Sequence, residues 1–523
     1  MGETITLPTA TVAGANATID WYDETGNHMN DLTVSFDTPG VYTFTIVATS
    51  NAGCTSVESV IVTVFDDSNC PPTVERVYAK ARTSVGSIIT GGVAGQSKAI
   101  DGNPQTHSTL TTGLGLLGIG TVWQNIYFDE EVAAGTPVTI KLGKEYSGLM
   151  LAGGISAIGL DANGNTIGTL KSVQGGLLDL LAADNVIEFT FVPSNSSGPK
   201  KYKGVRISQG SLLSVAQLAK VYHVYYTQNT GSFSPDYCAP VAEGVHPGVL
   251  DVLHGVQDLG IGAASATASV VNPWNAVDGS LETYALISRG VAVLNAASLT
   301  VIFKQQAMPG DQLHIVTEVP GNPILSLELI KGYKIQRYLG DQKVGEEIDG
   351  TGGVQVIDLK LLGLGYRNKY KMIIKDIDKP FDRVKISYGN VVGVLGNFTK
   401  IYEVTVAPKV DVGIDIEEEY LDMCQGGILT INAEDGCSTY EVYAEETGGN
   451  PLPTAGRNNF KLPFNLPEYQ DELPENQGLG PKYSVVYVQT YRNGCVVGRR
   501  LPIRLKMKNC SVKSNLNVTQ QVK

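Results

Sequence analysis

Apolar and polar residues alternate with a period of two along much of this chain, as in Val41-Tyr42-Thr43-Phe44-Thr45-Ile46-Val47-Ala48 and Trp123-Gln124-Asn125-Ile126-Tyr127-Phe128. Short polar, glycine-bearing turns such as Asp23-Glu24-Thr25-Gly26-Asn27 break the runs. Successive side chains of an extended strand point to opposite faces, so this pattern predicts half-buried strands in antiparallel sheets packed face to face. Strong helical periodicity is scarce, and no run of about 18 apolar residues occurs that would span a bilayer as a helix. The fold class expected is all-β, a multidomain string of β-sandwiches.

One segment occurs twice. Ala99-Ile100-Asp101-Gly102-Asn103-Pro104-Gln105-Thr106 returns as Ala276-Val277-Asp278-Gly279-Ser280-Leu281-Glu282-Thr283, an offset of 278 − 101 = 177. The hairpin Asp161 to Gly168 meets Tyr338 to Gly345 at the same offset. Further on, Gly204-Val205-Arg206-Ile207-Ser208 is matched by Arg383-Val384-Lys385-Ile386-Ser387, and Lys220-Val221-Tyr222-His223-Val224 by Lys400-Ile401-Tyr402-Glu403-Val404. The middle of the protein is one module used twice, each copy long enough for its own core.

Composition narrows the function classes. At 523 residues, three to five domains are expected, and 59 Gly, 24 Tyr and only 17% charged residues fit a β-rich protein. The net charge of −13 opposes a phosphate-binding face, so nucleic acid is not an expected partner, and neither is membrane insertion. The opening Met1-Gly2-Glu3-Thr4-Ile5-Thr6-Leu7 reads at once as a strand and lacks the regions of a signal peptide. Either the protein is intracellular or the chain is an excised piece.

The combination of Trp21-Tyr22-Asp23, Gly40-Val41-Tyr42-Thr43-Phe44-Thr45-Ile46 and Asn51-Ala52-Gly53-Cys54 resembles the immunoglobulin-like and PKD-like repeats of bacterial surface proteins. Residues 409–511 look like a second such domain, with Gly426 to Ile431 aligned to Gly2 to Leu7. Cys424 then has its counterpart just before residue 1, so the chain is expected to have been cut one residue after the natural partner of Cys54. The resemblance implies an inter-sheet bridge between Cys424 and Cys495, with Cys437 and Cys510 able to form a second. Cys70 and Cys238 stand at equivalent entrances to the two copies, and either join the first and last strands of the first module or remain two thiols. Trp21 and Trp123 are expected in cores.

The duplicated Ala-x-Asp-Gly-x-x-x-Thr loop, with a last strand returning beside the first, resembles the galactose-binding-like jelly roll of discoidin, coagulation-factor C-type and many carbohydrate-binding modules. His107 and Tyr284 stand where that family has a Trp. The domains expected are an immunoglobulin-like or PKD-like sandwich at 1–66, jelly rolls at 67–232 and 233–408, an immunoglobulin-like sandwich at 409–511, and a tail or the start of a further domain at 512–523. In the resembled family the loop often holds a structural Ca²⁺, completed by a late Glu. That implies Asp278, Thr283 and Glu403 in copy 2, and Asp101 and Thr106 in copy 1, where His223 replaces the Glu. The competing reading is that both aspartates accept hydrogen bonds from their own turns. Trp274, just ahead of the copy 2 loop, and Tyr284 are candidate ligand platforms, and Trp274 can equally pack beneath the loop.

Enzyme signatures are missing: there is no Gly-x-Ser-x-Gly, His-Glu-x-x-His or Cys-x-x-Cys. The Gly113-Leu114-Gly115-Leu116-Leu117-Gly118 run matches a dinucleotide fingerprint in letters but lacks a βαβ setting, and reads as an apolar loop or edge of the jelly roll, replaced in copy 2 by Gly290 to Leu294. The architecture resembles the repeat regions of very large adhesins of gliding Bacteroidota, commonly exported by the type 9 secretion system. That resemblance implies a non-enzymatic, extracellular, cell-surface segment, a stiff spacer whose partners are surface glycans, abiotic surfaces and neighbouring domains of a longer polypeptide. Two alternatives are lectin modules of a polysaccharide-utilisation protein and a fimbrial or fibre subunit. The ending Ser514 to Thr519 reads as part of a following domain.

Overall fold

The computed structural model describes residues 4–12, 17–51, 54–65, 70–88, 90–113, 120–144, 154–173, 185–210, 218–258, 268–288, 295–318, 332–348, 354–358, 369–375, 377–389, 398–416, 419–433, 436–470, 482–508 and 510. Among these residues nearly all regular structure is strand, and none of their helices is long and apolar enough to cross a membrane. The chain forms two compact units, Met1–Val406 and Ala407–Lys523.

The first unit opens with an antiparallel sheet of His28–Met29, Ala17–Tyr22, Gly40–Ser50 and Thr55–Val64. The paired strands Thr4–Thr6 and Thr33–Ser35 complete the sandwich. Leu7, Trp21, Phe36 and Phe44 fill its core, each at an inward position of the alternation.

The two jelly rolls repeat one strand order. In copy 1, one sheet runs Thr166–Ser172, Ile155–Leu160, Tyr202–Gly210, Thr121–Val132, Arg82–Ile88. In copy 2, the same order is Gln342–Ile348, Tyr333–Leu339, Phe381–Gly389, Asn295–Ala307, Val249–Asp258. The facing sheets likewise correspond, Gly91–Ala94, Ser108–Thr112, Leu218–Thr230, Val138–Lys144, Asn185–Phe191 against Ser269–Val271, Ala285–Ser288, Phe398–Ala407, Gln312–Glu318, Lys369–Ile374. Alternation turns Val122, Ile126, Ile140 and Val205 inward in copy 1, and Val301, Ile315, Ile335 and Val384 inward in copy 2. Trp123 falls on the outer phase of its strand, half-buried over Gly86 and beneath Arg206, so it is not the core residue its neighbours suggested.

The copies differ at one edge. In copy 1, Asn185–Phe191 pairs with Val249–Asp258 of copy 2 through Val186 and His254, so one sheet of 11 strands crosses from one jelly roll into the next. In copy 2 the equivalent edge, Lys369–Ile374, is covered by an added strand, Val354–Asp358. An open edge invites pairing, and both edges are closed, one by the neighbouring module and one by the chain itself.

The second unit has a sheet of Leu421–Cys424, Cys495–Lys508, Ser484–Arg492 and Ser438–Tyr443, and a smaller one of Ile428–Thr430, Asn459–Lys461 and Thr454–Gly456. Val442, Phe460, Val486 and Ile503 lie between them. Here the expected bridging is corrected, because Cys424 is bonded to Cys510, with a Cα separation of 5.4 Å. Leu421–Cys424 runs parallel to Cys495–Lys508 with Cys424 opposite Lys508, which puts Cys424 beside the end of that long strand. Cys495 sits at its other end, in register with Arg492, which pairs with Ser438 next to Cys437. Cys437, Cys495, Cys70 and Cys238 are also disulfide-bonded, and Cys54 is an exposed thiol. The Leu114 to Gly118 and Gly290 to Leu294 segments and the ending Ser514 to Thr519 lie outside the described residues.

Candidate functional site

Both Asp-Gly loops hold their aspartates in the same way. Asp101 Oδ1 accepts from Asn103 N at 2.9 Å and Oδ2 from Thr106 Oγ1 at 2.7 Å. Asp278 Oδ1 accepts from Ser280 N at 2.8 Å, and its Oδ2 from Thr283 Oγ1. Gly102 and Gly279 take φ of 78° and 75°, the left-handed conformation that such a turn needs and that glycine adopts without strain. In copy 1 the Thr106 hydroxyl also lies 3.2 Å from the carbonyl oxygens of Lys98 and Asn103. This convergence of carbonyl, hydroxyl and carboxylate oxygens is the donor set a hard cation takes. Running the Ser108/Val221 and Ala285/Ile401 registers on by two residues sets Thr106 against His223 and Thr283 against Glu403, the same place in both copies. His223 and Glu403 are both buried there. Among the described residues no group of three or more His, Cys, Asp or Glu side chains is assembled as a metal site.

His223 belongs to a different constellation. Where copy 1 meets copy 2, six ionisable side chains gather: Arg76, Lys141, Glu188 and His223 from copy 1 and Asp251 from copy 2 with buried side chains, and the partly exposed Arg383 from copy 2. Arg76 reaches both carboxylates, with Nη2 2.9 Å from Glu188 Oε1 and Nη1 3.3 Å from Asp251 Oδ2. Arg383 Nη1 donates to Glu188 Oε2 at 2.9 Å, and Tyr225 Oη to Glu188 Oε1 at 2.7 Å. Lys141 Nζ donates to Asp251 Oδ1 and, at 2.9 Å, to the Pro104 carbonyl of the copy 1 loop. His223 Nε2 lies 3.3 Å from Asp251 Oδ2.

Strand geometry explains the gathering. Lys141 and Glu188 are direct cross-strand partners, so their side chains share a face, and Lys141 also pairs with His223. Burial alone would raise the Asp251 carboxyl, but Lys141, His223 and Arg76 outweigh it and hold the group well below the usual carboxylate range. Burial likewise raises Glu188, and Arg76 with Arg383 brings it below its ordinary value. Burial lowers the Lys141 ammonium against the pull of Asp251, and lowers the His223 imidazole, leaving His223 neutral near pH 7. Tyr78, edge-on to His223, is pushed up to about 12 by burial.

Sequence reasoning missed Arg76, Lys141, Glu188, Asp251 and Arg383. The available signal was a charge set inside an apolar strand, Val138-Thr139-Ile140-Lys141-Leu142 and Val249-Leu250-Asp251-Val252-Leu253, one of each sign.

The two ligand candidates lie apart in kind. Trp274, in the 3-10 turn Pro273–Ala276, is half-buried with Lys141 Nζ 5.3 Å from its ring centroid, and so joins the seam between the copies. Tyr284 lies on copy 2 itself, edge-on to Tyr402 at 5.4 Å between ring centroids and under Lys400 Nζ at 4.7 Å. Glu318 Oε2 accepts from Lys400 Nζ at 2.9 Å and from Tyr402 Oη, and Lys369 Nζ lies 4.5 Å above the Tyr402 ring. This is a partly exposed aromatic patch with charges of both signs.

No protein-family model matches this chain, and no curated protein matches it. Solved structures do. The CBM32-1 and CBM32-2 domains of Clostridium perfringens ZmpB cover 64% of this chain and 94% of their own at 12% identity, with a TM-score of 0.19. The family 32 carbohydrate-binding module of C. perfringens NanJ, in complex with galactose, covers 30% of this chain and 99% of its own at 13% identity, with a TM-score of 0.19. Allantoicase of Saccharomyces cerevisiae covers 65% of this chain and 94% of its own at 10% identity, with a TM-score of 0.20. The structural neighbours are thus carbohydrate-binding β-sandwich modules together with an enzyme. Likeness at this level assigns neither ligand nor activity to this chain.

Proposed function

We propose that this chain is a non-enzymatic segment of a bacterial cell-surface protein in which the two jelly rolls work as one rigid body. The buried charge seam carries this reading. Two modules tethered by a flexible linker would keep separate, solvated faces, whereas here the seam side chains of Arg76, Lys141, Glu188 and Asp251 are at most 7% exposed, and a sheet runs through the junction. Six bridged cysteines support an oxidising, extracellular setting. Arg76, Lys141, Glu188 and Asp251 are closed to solvent, which suits a structural role and leaves them out of reach of a substrate. Calcium, where bound, would be held by Lys98 O, Asp101, Asn103 O and Thr106 in copy 1, and by Asp278 and Thr283 with Glu403 in copy 2; it would stiffen the loops. Titrating calcium while following the melting temperature tests that assignment, and no rise removes it.

The mechanical reading is tested by pulling the intact chain in a force spectrometer. Copies 1 and 2 should rupture together in one event. Two separate events, each of one module's contour length, would overturn it.

A lectin role is the second reading, favoured by the Tyr284 patch, where half-exposed aromatic surface, Lys400 and Glu318 provide stacking and hydrogen bonds of the kind a sugar uses. A glycan array should show binding that Tyr284→Ala abolishes. An array without signal removes this role and leaves the spacer.

A further inference from the structure

Lys141 and Asp251 meet at the centre of the seam with side chains 1% and 0% exposed. The two oxygens of Asp251 have different surroundings. Oδ1 accepts from Lys141 Nζ and from the backbone N–H of Val252, the latter at 2.7 Å. Oδ2 faces Arg76 Nη1 and His223 Nε2, each at 3.3 Å. A primary amine therefore stands against a carboxyl group of which one oxygen is held by an N–H donor and the other faces an imidazole. We propose that Lys141 and Asp251 condense into an intramolecular isopeptide bond joining the two jelly rolls covalently.

The chemistry balances without any added reagent. A proton passes from Lys141 Nζ to Asp251 Oδ2 by way of His223 Nε2, which faces that oxygen, giving a neutral amine and a carboxylic acid. The Nζ lone pair attacks Cγ and the C–N bond forms, while Val252 N–H stabilises the charge that develops on Oδ1. The bond from Cγ to Oδ2 then breaks. Oδ2 leaves as water carrying two of the three ammonium protons, both relayed from Nζ through His223 Nε2, and Nζ keeps the third as the amide N–H. The relay needs an unprotonated imidazole, which burial supplies. Asp251 rests as a carboxylate, so the reactive neutral pair is scarce and the reaction slow; a bond made once per molecule needs no turnover.

Burial also favours the product. An ion pair taken out of water carries a large desolvation cost, and condensation replaces it by a neutral amide. What remains is balanced, with Arg76 and Arg383 facing Glu188 and Asp382. The new link would close a loop spanning 110 residues.

The test is the intact mass of the disulfide-reduced, denatured protein after prolonged incubation folded, followed by a tryptic map. The expected mass is one water below that of the linear sequence, with a branched peptide joining the Lys141 and Asp251 segments and no cleavage after Lys141. Lys141→Arg should restore the linear mass, and His223→Gln should slow the loss of water several-fold. Wild-type protein at the linear mass, cleaved normally after Lys141, overturns the bond and leaves an ion pair only. That outcome would not touch the rigid-body reading, which the pulling experiment decides by itself.

Discussion

Asp251 faces Lys141, Arg76 and His223 at once, and it is fully buried. Asp251→Ala leaves the buried Lys141 ammonium without its carboxylate, Arg76 keeping Glu188, and uncompensated buried charge of this kind costs about 3–5 kcal/mol. Urea denaturation should show the midpoint falling with little change in slope. The sign of the pH response follows from the histidines. His223 and His314 are both lowered from their ordinary value of 6.5 by burial, so below that pH the unfolded chain binds protons that the folded chain refuses. Stability is therefore full above pH 6.5 and falls as pH drops below it, until each buried ring itself takes up a proton. Asp251 and Glu188, with lowered carboxyls, contribute stability that is lost only at more acid pH. A melting series from pH 8 to 5 should descend, and His223→Gln should flatten the descent; a flat wild-type series would contradict the burial of both rings. At this scale the sequence was only partly readable. The Asp-Gly loops announced themselves by repetition, but the seam residues break the repeat, since copy 2 has Glu403 where copy 1 has His223. Charges that meet only after two modules dock leave no local spacing to recognise.

Strands were the most legible level, because the period of two is a direct consequence of backbone geometry. Trp123 shows the limit of that reading, since the aromatic residue took the outward phase while Val122 and Ile126 took the core. Edges were not legible, because pairing partners are chosen in three dimensions. The bridging of Cys424 to Cys510 has the same origin, in a parallel register that no sequence motif marks. Two edges can be tested. A Cβ added at Gly255 would lie 2.7 Å from Asn185 Oδ1, an atom that accepts from Val256 N at 2.7 Å across the junction. Gly255→Val should therefore loosen the contact between copies, seen as faster amide exchange in Asn185–Phe191 with the copy 2 core unchanged. Val356 pairs with Met372 in the strand covering the copy 2 edge. Val356→Pro removes a backbone donor there and should expose Lys369–Ile374, giving concentration-dependent association in sedimentation velocity; a variant that stays monomeric would mean the cover is dispensable.

For the molecule as a whole, what matters is whether the first unit's jelly rolls are one cooperative body or two neighbours. A covered edge, a continuous sheet and a charge cluster shared between copies all predict that neither copy melts without exposing Lys141, Glu188 and Asp251 to a solvent they are closed to in the folded state. Opening the seam alone would leave ions half-desolvated and a strand edge bare, so the partly unfolded species should be poorly populated. Scanning calorimetry of the wild-type chain should thus place both jelly rolls under a single transition. Asp251→Ala should split that transition in two, because the links of Lys141, Arg76 and His223 to copy 2 are lost and a buried ammonium is left unpaired, while each copy keeps its own apolar core, built on Val122, Ile126 and Ile140 in one and Val301, Ile315 and Val384 in the other. Two transitions already present in wild type would show that the modules are coupled only loosely. Should the isopeptide bond form, Asp251→Ala would remove it as well, and the gap between the two new transitions should exceed that in Arg76→Gln, which weakens the ion network and keeps the bond.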